Sequence, residues 1–399
     1  MSNKLISTHT RTNMSTPHSP LGAVEDYIPQ QEELVNSFHL LQALRDPTRS
    51  DHGRALASLD EHVANPSFVL VMMHVFSAGA QYQAQGLTTD LRQLAGLIIK
   101  NYVFKHLAIL PVNVQSMLKK QIVQVLQDSI ADIRKTGAIL AGKISESFPV
   151  TTWCDMLPPI LQMLDVGLFP THLCVLEGAL EATQRICEDS ALKLAQDSVN
   201  RPLDTLIPKL LALMTCSEAT VRISALSSYN ALLYLLNPAN FDTKQTSQTN
   251  STDAMGNASY LITHMNAFIQ TLAHLSTDPN TKVRTLVCQA ITTISTTHVA
   301  VLDAYFDNIC VFMLVALQDT QECVAIESCE FWAVMLETPD TKIAIMPYLN
   351  TLVQHLVSRL YLTQEQMDAE RNDEASENSG EKELNLRPIH HKNGSNTGR

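Results

Sequence analysis

The sequence predicts an all-α protein built from stacked helical hairpins, and three observations lead to this fold class. Residues 90–101 carry apolar side chains at the i, i+3/i+4 and i+7 positions of one helix face. Similar stretches, each with an arginine near its start, return around Arg134, Arg222 and Arg284. The chain also holds only 13 glycines in 399 residues, as a mostly helical chain does. A chain that repeats one helical hairpin forms a solenoid, because each repeat packs chiefly on its neighbours.

The apolar periodicity and the turn signals predict seven complete hairpins and one unpaired helix. Asp46-Pro47 ends the first helix, Asn65-Pro66 closes the first hairpin and Pro111 begins the third. Arg92 and Arg134 lie 42 residues apart, which sets a repeat of about 40 residues. The predicted hairpins are 31–45 with 54–63, 68–80 with 90–105, 112–127 with 131–147, 153–164 with 172–188, 202–214 with 219–236, 260–276 with 281–297, and 302–317 with 321–337. A last helix, 342–362, has no predicted partner.

One polar segment interrupts the repeats. Residues 237–257 lack apolar periodicity and are rich in Thr, Ser, Gln and Asn, which predicts a flexible insertion. This insertion explains why Arg222 and Arg284 lie 62 residues apart: a repeat of about 40 residues carries an extra segment of about 20. The expected solenoid therefore covers residues 25–362 with this one interruption.

Both ends of the chain are predicted to lie outside the solenoid. Residues 1–24 lack the apolar core of a signal peptide, and we expect a disordered tail; because they contain no acidic residue, a transit peptide is the alternative. Residues 363–399 form an acidic segment in which eight acids stand against two basic residues between Glu365 and Glu383. A stretch of this composition cannot bury enough apolar surface to fold alone.

The charge and the hydropathy of the chain limit the classes of partner. The formal net charge of -12 argues against a general nucleic-acid binder, which needs a basic face to displace counterions. An acidic chain instead favours a basic protein partner. The apolar runs 68–75 and 309–317 are too short to span a bilayer, so we expect no membrane insertion.

No catalytic motif is present in the sequence. It lacks a Gly-x-x-x-x-Gly-Lys-Ser/Thr phosphate loop, a His-Glu-x-x-His pair and a Gly-x-Ser-x-Gly elbow. His390-His391 has no further metal ligands nearby in the sequence. We therefore expect a protein that is not an enzyme and that holds neither a cofactor nor a metal.

Three prolines indicate which type of helical hairpin is repeated. Pro158, Pro208 and Pro347 are each predicted to lie inside the first helix of a hairpin. A proline there removes a backbone donor and bends the helix. A bend at the same place in three repeats is typical of HEAT hairpins, so the predicted fold is a HEAT-repeat superhelical solenoid.

Four stretches resemble one known family. Residues 91–101 resemble the importin N-terminal signature, with Arg92, Ala95 and Lys100-Asn101 in place. Residues 186–191, residues 324–332 and the acidic stretch that runs into Leu386-Arg387-Pro388 are similar to segments of transportins. Over residues 27–392 the sequence thus resembles the N-terminal half of transportins, which are importin-β-type nuclear transport receptors.

The resemblance implies binding of the GTPase Ran in its GTP form. The residues that it suggests for this contact are Arg92, Lys100, Asn101, Arg134, Glu327 and Glu330. In transportins the acidic loop senses Ran-GTP and helps to displace cargo; its acids here are Asp368, Glu370, Asp373, Glu374, Glu377, Glu381 and Glu383. The arginines have a structural alternative, a ladder in which Asp90, Asp132 or a neighbouring acid pairs with an arginine of the same or the next repeat.

Further partners follow from the same resemblance. Phenylalanine-glycine nucleoporins would bind between first helices near Leu210, Phe268 and Phe306, although each of these residues could equally be ordinary packing. The half of transportins that carries the main site for basic proline-tyrosine nuclear localisation signals has no counterpart in the sequence, so such cargo is expected only where that half is present. The implied location is cytoplasm and nucleus.

A different scaffold class remains open on the residues alone. A HEAT-repeat scaffold such as a phosphatase-type regulatory subunit would show the same periodicity. Such scaffolds have no evident need for an acidic insertion in the eighth hairpin, which favours the transport receptor.

Overall fold

The computed structural model describes residues 27–62, 65–79, 81–237, 251–337 and 339–360. This part of the chain is helical and contains no strand, so the predicted all-α repeat fold is confirmed. The chain divides into two compact units, Met1–Ala304 and Tyr305–Arg399, and each is described by itself. The predicted tail 1–24 and the predicted acidic segment 363–399 lie outside the described residues.

The first unit contains twelve of the described α-helices. They are α1 Gln31–Arg45, α2 His52–His62, α3 Pro66–Ser77, α4 Thr89–His106, α5 Val112–Val125, α6 Ala131–Ser147, α7 Leu157–Met163, α8 Leu173–Gln196, α9 Pro202–Leu213, α10 Ala219–Leu232, α11 Ser251–Leu275 and α12 Thr281–Thr297. They form six hairpins, from α1/α2 to α11/α12, and the second helices α4, α6, α8, α10 and α12 pack on one another in a continuous row.

The second unit contains the seventh hairpin and the helices that follow it. Its described helices are α13 Phe306–Leu317, α14 Glu322–Glu337, α15 Pro339–Ala344 and α16 Leu349–Leu360. Helix α13 packs on both α14 and α16. The seventh hairpin is present as predicted, and the single unpaired helix predicted after it is divided into α15 and α16.

Close approach between second helices and their neighbours depends on small residues. A Cβ atom added to Gly178 in α8 would lie 1.9 Å from the carbonyl oxygen of Leu126, at the end of α5. A Cβ atom added to Gly137 in α6 would lie 2.7 Å from a methyl group of Val125. Because interiors are close-packed, these glycines set how near the hairpins can come.

The proline prediction is confirmed at one position and wrong at two. Pro208 lies inside α9. Pro158 lies in the first turn of α7, and Pro347 lies in the 3-10 turn Met346–Tyr348 between α15 and α16. In a first turn the missing N–H of proline leaves no hydrogen bond unmade, so no bend is needed there.

Several predicted helix boundaries differ from the structure, for example at α8, which continues to Gln196 instead of ending at 188. The last helix, predicted as 342–362, is broken into α15 and α16 by the turn at Pro347, because proline cannot continue the helical hydrogen bonds. Helix α11 begins at Ser251, inside the predicted polar insertion 237–257. The part of that insertion from 238 to 250 lies outside the described residues.

One described helical stretch is longer and more apolar than predicted. Ala300–Leu317 would be long and apolar enough to cross a membrane, by length and composition alone. Within it, α13 buries one face, formed by Ile309, Cys310, Met313, Leu314, Ala316 and Leu317, against the neighbouring helices. A core helix of a globular protein passes the same length and hydropathy test.

Candidate partner-binding face

The second helices of the first unit pack on one another in a row and also carry exposed and half-buried residues. We call these exposed and half-buried residues of α4, α6, α8 and α10 the second-helix face. Three arginines near the starts of α4, α6 and α10 are buried in contacts between hairpins. We call Arg92, Arg134 and Arg222, with their acidic acceptors, the arginine ladder.

The first rung joins α4 to the turn before α6. Arg92 is 3% exposed, and its Nε and Nη2 atoms donate to the carbonyl oxygen of Phe76 at 3.2 and 3.0 Å. Its Nη2 also donates to Oδ2 of Asp128. The other carboxylate oxygen of Asp128 accepts from the N–H of Ile130 at 2.9 Å, so one aspartate shapes its own turn and holds the preceding hairpin.

The second rung joins α6 to α8. Nη1 of Arg134 donates to the carbonyl oxygens of Asp128 and Ser129 at 2.9 and 3.1 Å, and Nη2 donates to Glu177 at 2.8 Å. Oε1 of Glu177 accepts from the Thr220 hydroxyl of α10 at 3.2 Å. Glu177 therefore connects three consecutive second helices.

The third rung is the most completely paired of the described arginine contacts in the ladder. Arg222 donates to both carboxylate oxygens of Asp278 at 2.8 and 3.0 Å, a bidentate geometry that strengthens an ion pair. Its Nη1 donates to the carbonyl oxygens of Cys216 and Ser217. Asp278 in turn accepts from the N–H of Asn280, and its carbonyl oxygen accepts from Arg284.

The ladder gives these arginines the structural role that the sequence left as an alternative. Arg92 and Arg134 are 3% and 6% exposed, so neither guanidinium is available on the second-helix face. Asp90 and Asp132, which the sequence suggested as partners of these arginines, lie near other basic residues. Asp90 forms a surface pair with Arg45 at 3.0 Å, and Asp132 lies 4.0 Å from Lys135.

The remaining predicted Ran-contacting residues lie at accessible positions. Lys100 is half-buried and Asn101 is exposed in the C-terminal half of α4. In the second unit, Glu330 is exposed and Glu327 is partly exposed, and both lie on α14. Their spacing of three residues places them on one side of that helix. The acids of the predicted loop, from Asp368 to Glu383, lie outside the described residues.

The structure adds an acid that the sequence did not single out. Glu181 lies on α8 between the positions of Glu177 and Arg185, and its Oε2 has no hydrogen-bond partner within the described part of the chain. Burial raises the pKa of Glu181, against the opposing effect of Lys135 and Arg134. Because this oxygen atom is itself buried, the unmade hydrogen bond is a cost to the fold rather than a contact point for a partner protein.

The stretch 186–191 lies where α8 changes direction. Ser190 has a non-helical backbone inside the helix, and its hydroxyl lies 3.1 Å from that of Ser145 in α6. After the bend, Lys193 donates to the carbonyl oxygens of Ser145, Glu146 and Phe148 at the end of α6. A cation at a helix C-terminus is favourable, so this stretch locks α8 to α6.

Two of the three predicted nucleoporin-contacting residues are packing residues in this structure. Leu210 and Phe268 are fully buried, and the Phe268 ring stacks on Tyr229 with 3.8 Å between the centroids. Phe306 is half-buried in the second unit. Exposed apolar side chains do occur on first helices, at Ile262 of α11 and at Val311 and Val315 of α13.

Comparison with known proteins relates the chain to one group. No family model matches the sequence. Transportin of Dictyostelium discoideum is 27% identical over 343 residues, which cover 86% of this chain and 33% of that protein. Transportin-1 of Mus musculus is 28% identical over 368 residues, covering 92% and 38% respectively. The chain is similar to transportins. It spans about a third of the length of these relatives, whose names are those of transport receptors rather than of enzymes.

Solved structures support the fold. In one solved structure, Kap95p binding induces the switch loops of RanGDP to adopt the GTP-bound conformation. The match covers 80% of this chain and 36% of the chain in that structure, at 15% identity and a TM-score of 0.57. The Kap95:Nup1 complex matches the same shares, at 15% identity and a TM-score of 0.59. At 15% identity, the likeness to these solved structures concerns the helical-repeat fold alone. The predicted similarity to transportins is confirmed by the relatives found by sequence.

Proposed function

We propose that this chain is a receptor segment that binds Ran in its GTP form and acts in the import of proteins through the nuclear pore. The similarity to transportins over most of the chain is the observation that carries the proposal. A row of stacked second helices supports it physically, because such a row presents a long surface to a globular partner. The proposed location is cytoplasm and nucleus.

Each unit contributes its own proposed contact residues. In the first unit they lie on the second-helix face, at Lys100 and Asn101 of α4. The arginine ladder supports this face from beneath by holding successive helices. In the second unit they are Glu327 and Glu330 of α14, and the acids of residues 363–399 add negative charge.

The nucleotide effect requires no chemistry in this chain. Bound GTP sets the conformation of the switch loops of a GTPase, and a scaffold that binds one conformation better selects it. The Kap95p structure, in which the partner's switch loops respond to binding, supports this form of coupling.

The decisive experiment compares binding of the purified chain to Ran loaded with GTP and with GDP by calorimetry. We expect tighter binding of the GTP form and weakening as salt rises, because exposed charges are screened beyond about 10 Å at 0.1 M salt. Equal binding of both forms, or no binding, would refute the proposal and leave the scaffold alternative.

A charge reversal tests the residues. Single exposed ion pairs contribute only about 0–1 kcal/mol, so two acids are changed together. Glu327→Lys with Glu330→Lys should weaken Ran-GTP binding at least about tenfold, or roughly 1.4 kcal/mol, chiefly through slower association. The matched control is Glu32→Lys with Glu61→Lys, which changes the net charge equally on α1 and α2. A control that weakens binding as much would show a non-specific charge effect.

We also propose that phenylalanine-glycine nucleoporins bind the first helices. The Kap95:Nup1 complex among the similar structures supports a partner of this class. Phe306 is half-buried, whereas Leu210 and Phe268 are fully buried and would have to be uncovered first. Cargo with basic proline-tyrosine signals is proposed only for a protein that also contains the receptor's second half.

A further inference from the structure

The first hairpin and the start of the next helix enclose a polar cavity, which takes no part in the contacts proposed for Ran. Its walls come from α1, α2 and the first turns of α3, all within the first unit. The cavity has a volume of about 250 Å³ and opens to solvent. We call it the α1–α3 cavity.

One buried hydroxyl of the α1–α3 cavity has no hydrogen-bond partner in the described part of the chain. Ser37 of α1 lines the cavity and is 6% exposed, and its side chain makes no hydrogen bond to a described residue. The other buried serines of the described residues all have a partner for their hydroxyls; they are Ser145, Ser190, Ser228, Ser295 and Ser328. Because an unpaired buried hydroxyl costs free energy, Ser37 is placed to pair with a molecule in the cavity.

Further polar groups face the same space from all three helices. Nδ1 of His62 in α2 lies 2.7 Å from the carbonyl oxygen of Ser58, so Nδ1 carries the proton and Nε2 of the neutral ring is left as an acceptor. Asn36 of α1 and Ser67 of α3 also line the cavity, and neither side chain is hydrogen-bonded to a described residue. The cavity therefore offers both donors and acceptors.

The charge of the lining limits the class of ligand. Glu33 is acidic, and no lysine or arginine is among the residues that line the cavity. A phosphate or a carboxylate would meet this negative charge without a cation to balance it. The carboxylate of Glu33 is itself engaged at the start of α1, because it accepts from the N–H of Gln30 at 2.8 Å and from the hydroxyl of Tyr27 at 3.1 Å. The lining thus favours a neutral ligand.

The remaining part of the lining is apolar. Phe68 of α3 is half-buried, and Leu40 and Val71 line the cavity with it. The face of an aromatic ring is electronegative and attracts C–H groups. The ligand that suits this cavity is therefore neutral, carries hydroxyl groups along its edge and has a face of C–H groups.

We propose that the α1–α3 cavity binds a monosaccharide ring. The sugar hydroxyls would pair with Ser37, Asn36 and His62, and the C–H face of the ring would lie on Phe68. The volume of about 250 Å³ is smaller than the roughly 300–1,000 Å³ of sites for larger ligands, so it admits one ring rather than an oligosaccharide. The ring is either a free sugar or a sugar attached to another protein, since both present the same hydroxyls.

Saturation-transfer NMR with the full chain tests the ligand class. The sugars are glucose, galactose, mannose and N-acetylglucosamine, and the probes of other classes are acetamide, methylguanidinium and inorganic phosphate. At least one sugar should bind with a dissociation constant of about 1 mM. Absence of sugar binding, or tighter binding of any other probe than of every sugar, would overturn the proposal. The best sugar is then offered on the serine of a short peptide: tighter binding than that of the free sugar supports an attached sugar, and weaker binding supports a free one.

The Ser37→Ala variant tests the site. It removes no hydrogen bond to a described residue, so the midpoint of urea unfolding should not fall, whereas sugar binding should weaken at least about tenfold. The matched control is Ser227→Ala, which changes a half-buried serine of α10 outside the cavity and should alter neither quantity. Sugar binding that survives Ser37→Ala would overturn the site, and a lowered midpoint would show that the hydroxyl is paired within the fold. Both variants should bind Ran-GTP as the unchanged chain does, so this proposal and the proposed function fail independently.

Discussion

The turn before the second helix of a hairpin is built alike in the two units, but the residue six positions after its aspartate differs. In the first unit, Asp128 and Asp278 shape the turns before α6 and α12 and also accept an arginine from a preceding hairpin. In the second unit, Asp319 shapes the turn before α14 in the same manner, by accepting from the N–H of Gln321. The arginine six residues after the aspartate in the first unit is replaced there by the buried Ala325.

A cation from the helix that follows the hairpin contacts the main chain of the second unit's turn. Arg359 of α16 donates to the carbonyl oxygens of Leu317 and Asp319. The contact comes from the helix that follows the hairpin and reaches main-chain oxygens of the turn. The comparison teaches that one turn geometry can be kept while the residue six positions after its aspartate changes from an arginine to a buried alanine.

The largest expected effect comes from breaking the ladder. Arg222→Ala leaves Asp278 buried without its bidentate partner, which should cost about 3–5 kcal/mol of stability. Hydrogen exchange should show the loss of protection in α10 and α12 first, because repeats unfold locally. Arg45→Ala, which removes an exposed pair with Asp90, is the matched control and should cost about 0–1 kcal/mol. Equal effects would mean that the ladder adds nothing beyond surface pairs.

A smaller loss of stability is expected when a glycine at the contact between two hairpins is replaced by a larger residue. Gly178→Ala would place a methyl group against the Leu126 carbonyl oxygen, and overpacking of this kind costs about 1–3 kcal/mol. Gly53→Ala in α2 is the control, because no atom lies within 4 Å of the added Cβ and alanine favours a helix. Urea unfolding should therefore move the two midpoints in opposite directions. A stable Gly178→Ala variant would show that α8 can shift without loss.

The smallest expected change in stability is at Glu181, and it depends on pH. Its pKa is raised in the folded protein, so the folded chain binds a proton there more tightly than the unfolded chain does. Stability consequently falls as pH rises through the folded pKa, and at neutral pH the buried charge is a cost. Glu181→Gln should stabilise the chain slightly at neutral pH, with an advantage that fades towards about pH 4.

The control for that prediction is Glu188→Gln, which removes an exposed partner of Arg185 on the same helix. It should leave stability unchanged or lower it slightly at neutral pH. Urea midpoints at both pH values distinguish the two variants. A Glu181→Gln variant that is less stable at neutral pH would mean that the carboxylate makes a favourable contact.

The sequence predicted the helices well where apolar periodicity is strong. The predicted bounds of α1, α6 and α12 agree with the structure at both ends. Positions that depend on the turn conformation were harder to predict: the bend expected at Pro347 is instead a break between α15 and α16. Proline's missing N–H leaves no hydrogen bond unmade at a helix start, whereas inside a helix, as at Pro208 of α9, it removes one; the local sequence does not determine which case applies.

The candidate site was less predictable, because its contacts join distant segments. Arg92 and Asp128 are 36 residues apart, and Arg222 and Asp278 are 56 apart. The aspartate six residues before Arg134 and before Arg284 was a usable signal for the ladder. No comparable signal existed for Glu177, which reaches Arg134 from the side of a helix, or for the full burial of Leu210 and Phe268.

The contacts of Glu177 limit which repeats of such a chain could be duplicated or deleted during evolution. At Asp128 and Asp278 the acceptor occupies the same place in the turn of its repeat, so a duplicated or deleted repeat would bring an equivalent acceptor with it. Glu177, which lies inside α8, instead accepts hydrogen bonds from the guanidinium of Arg134 in α6 and from the hydroxyl of Thr220 in α10. The hairpins that contain α6, α8 and α10 are therefore not interchangeable, and this triplet would be inherited as a block while repeats on either side are gained or lost.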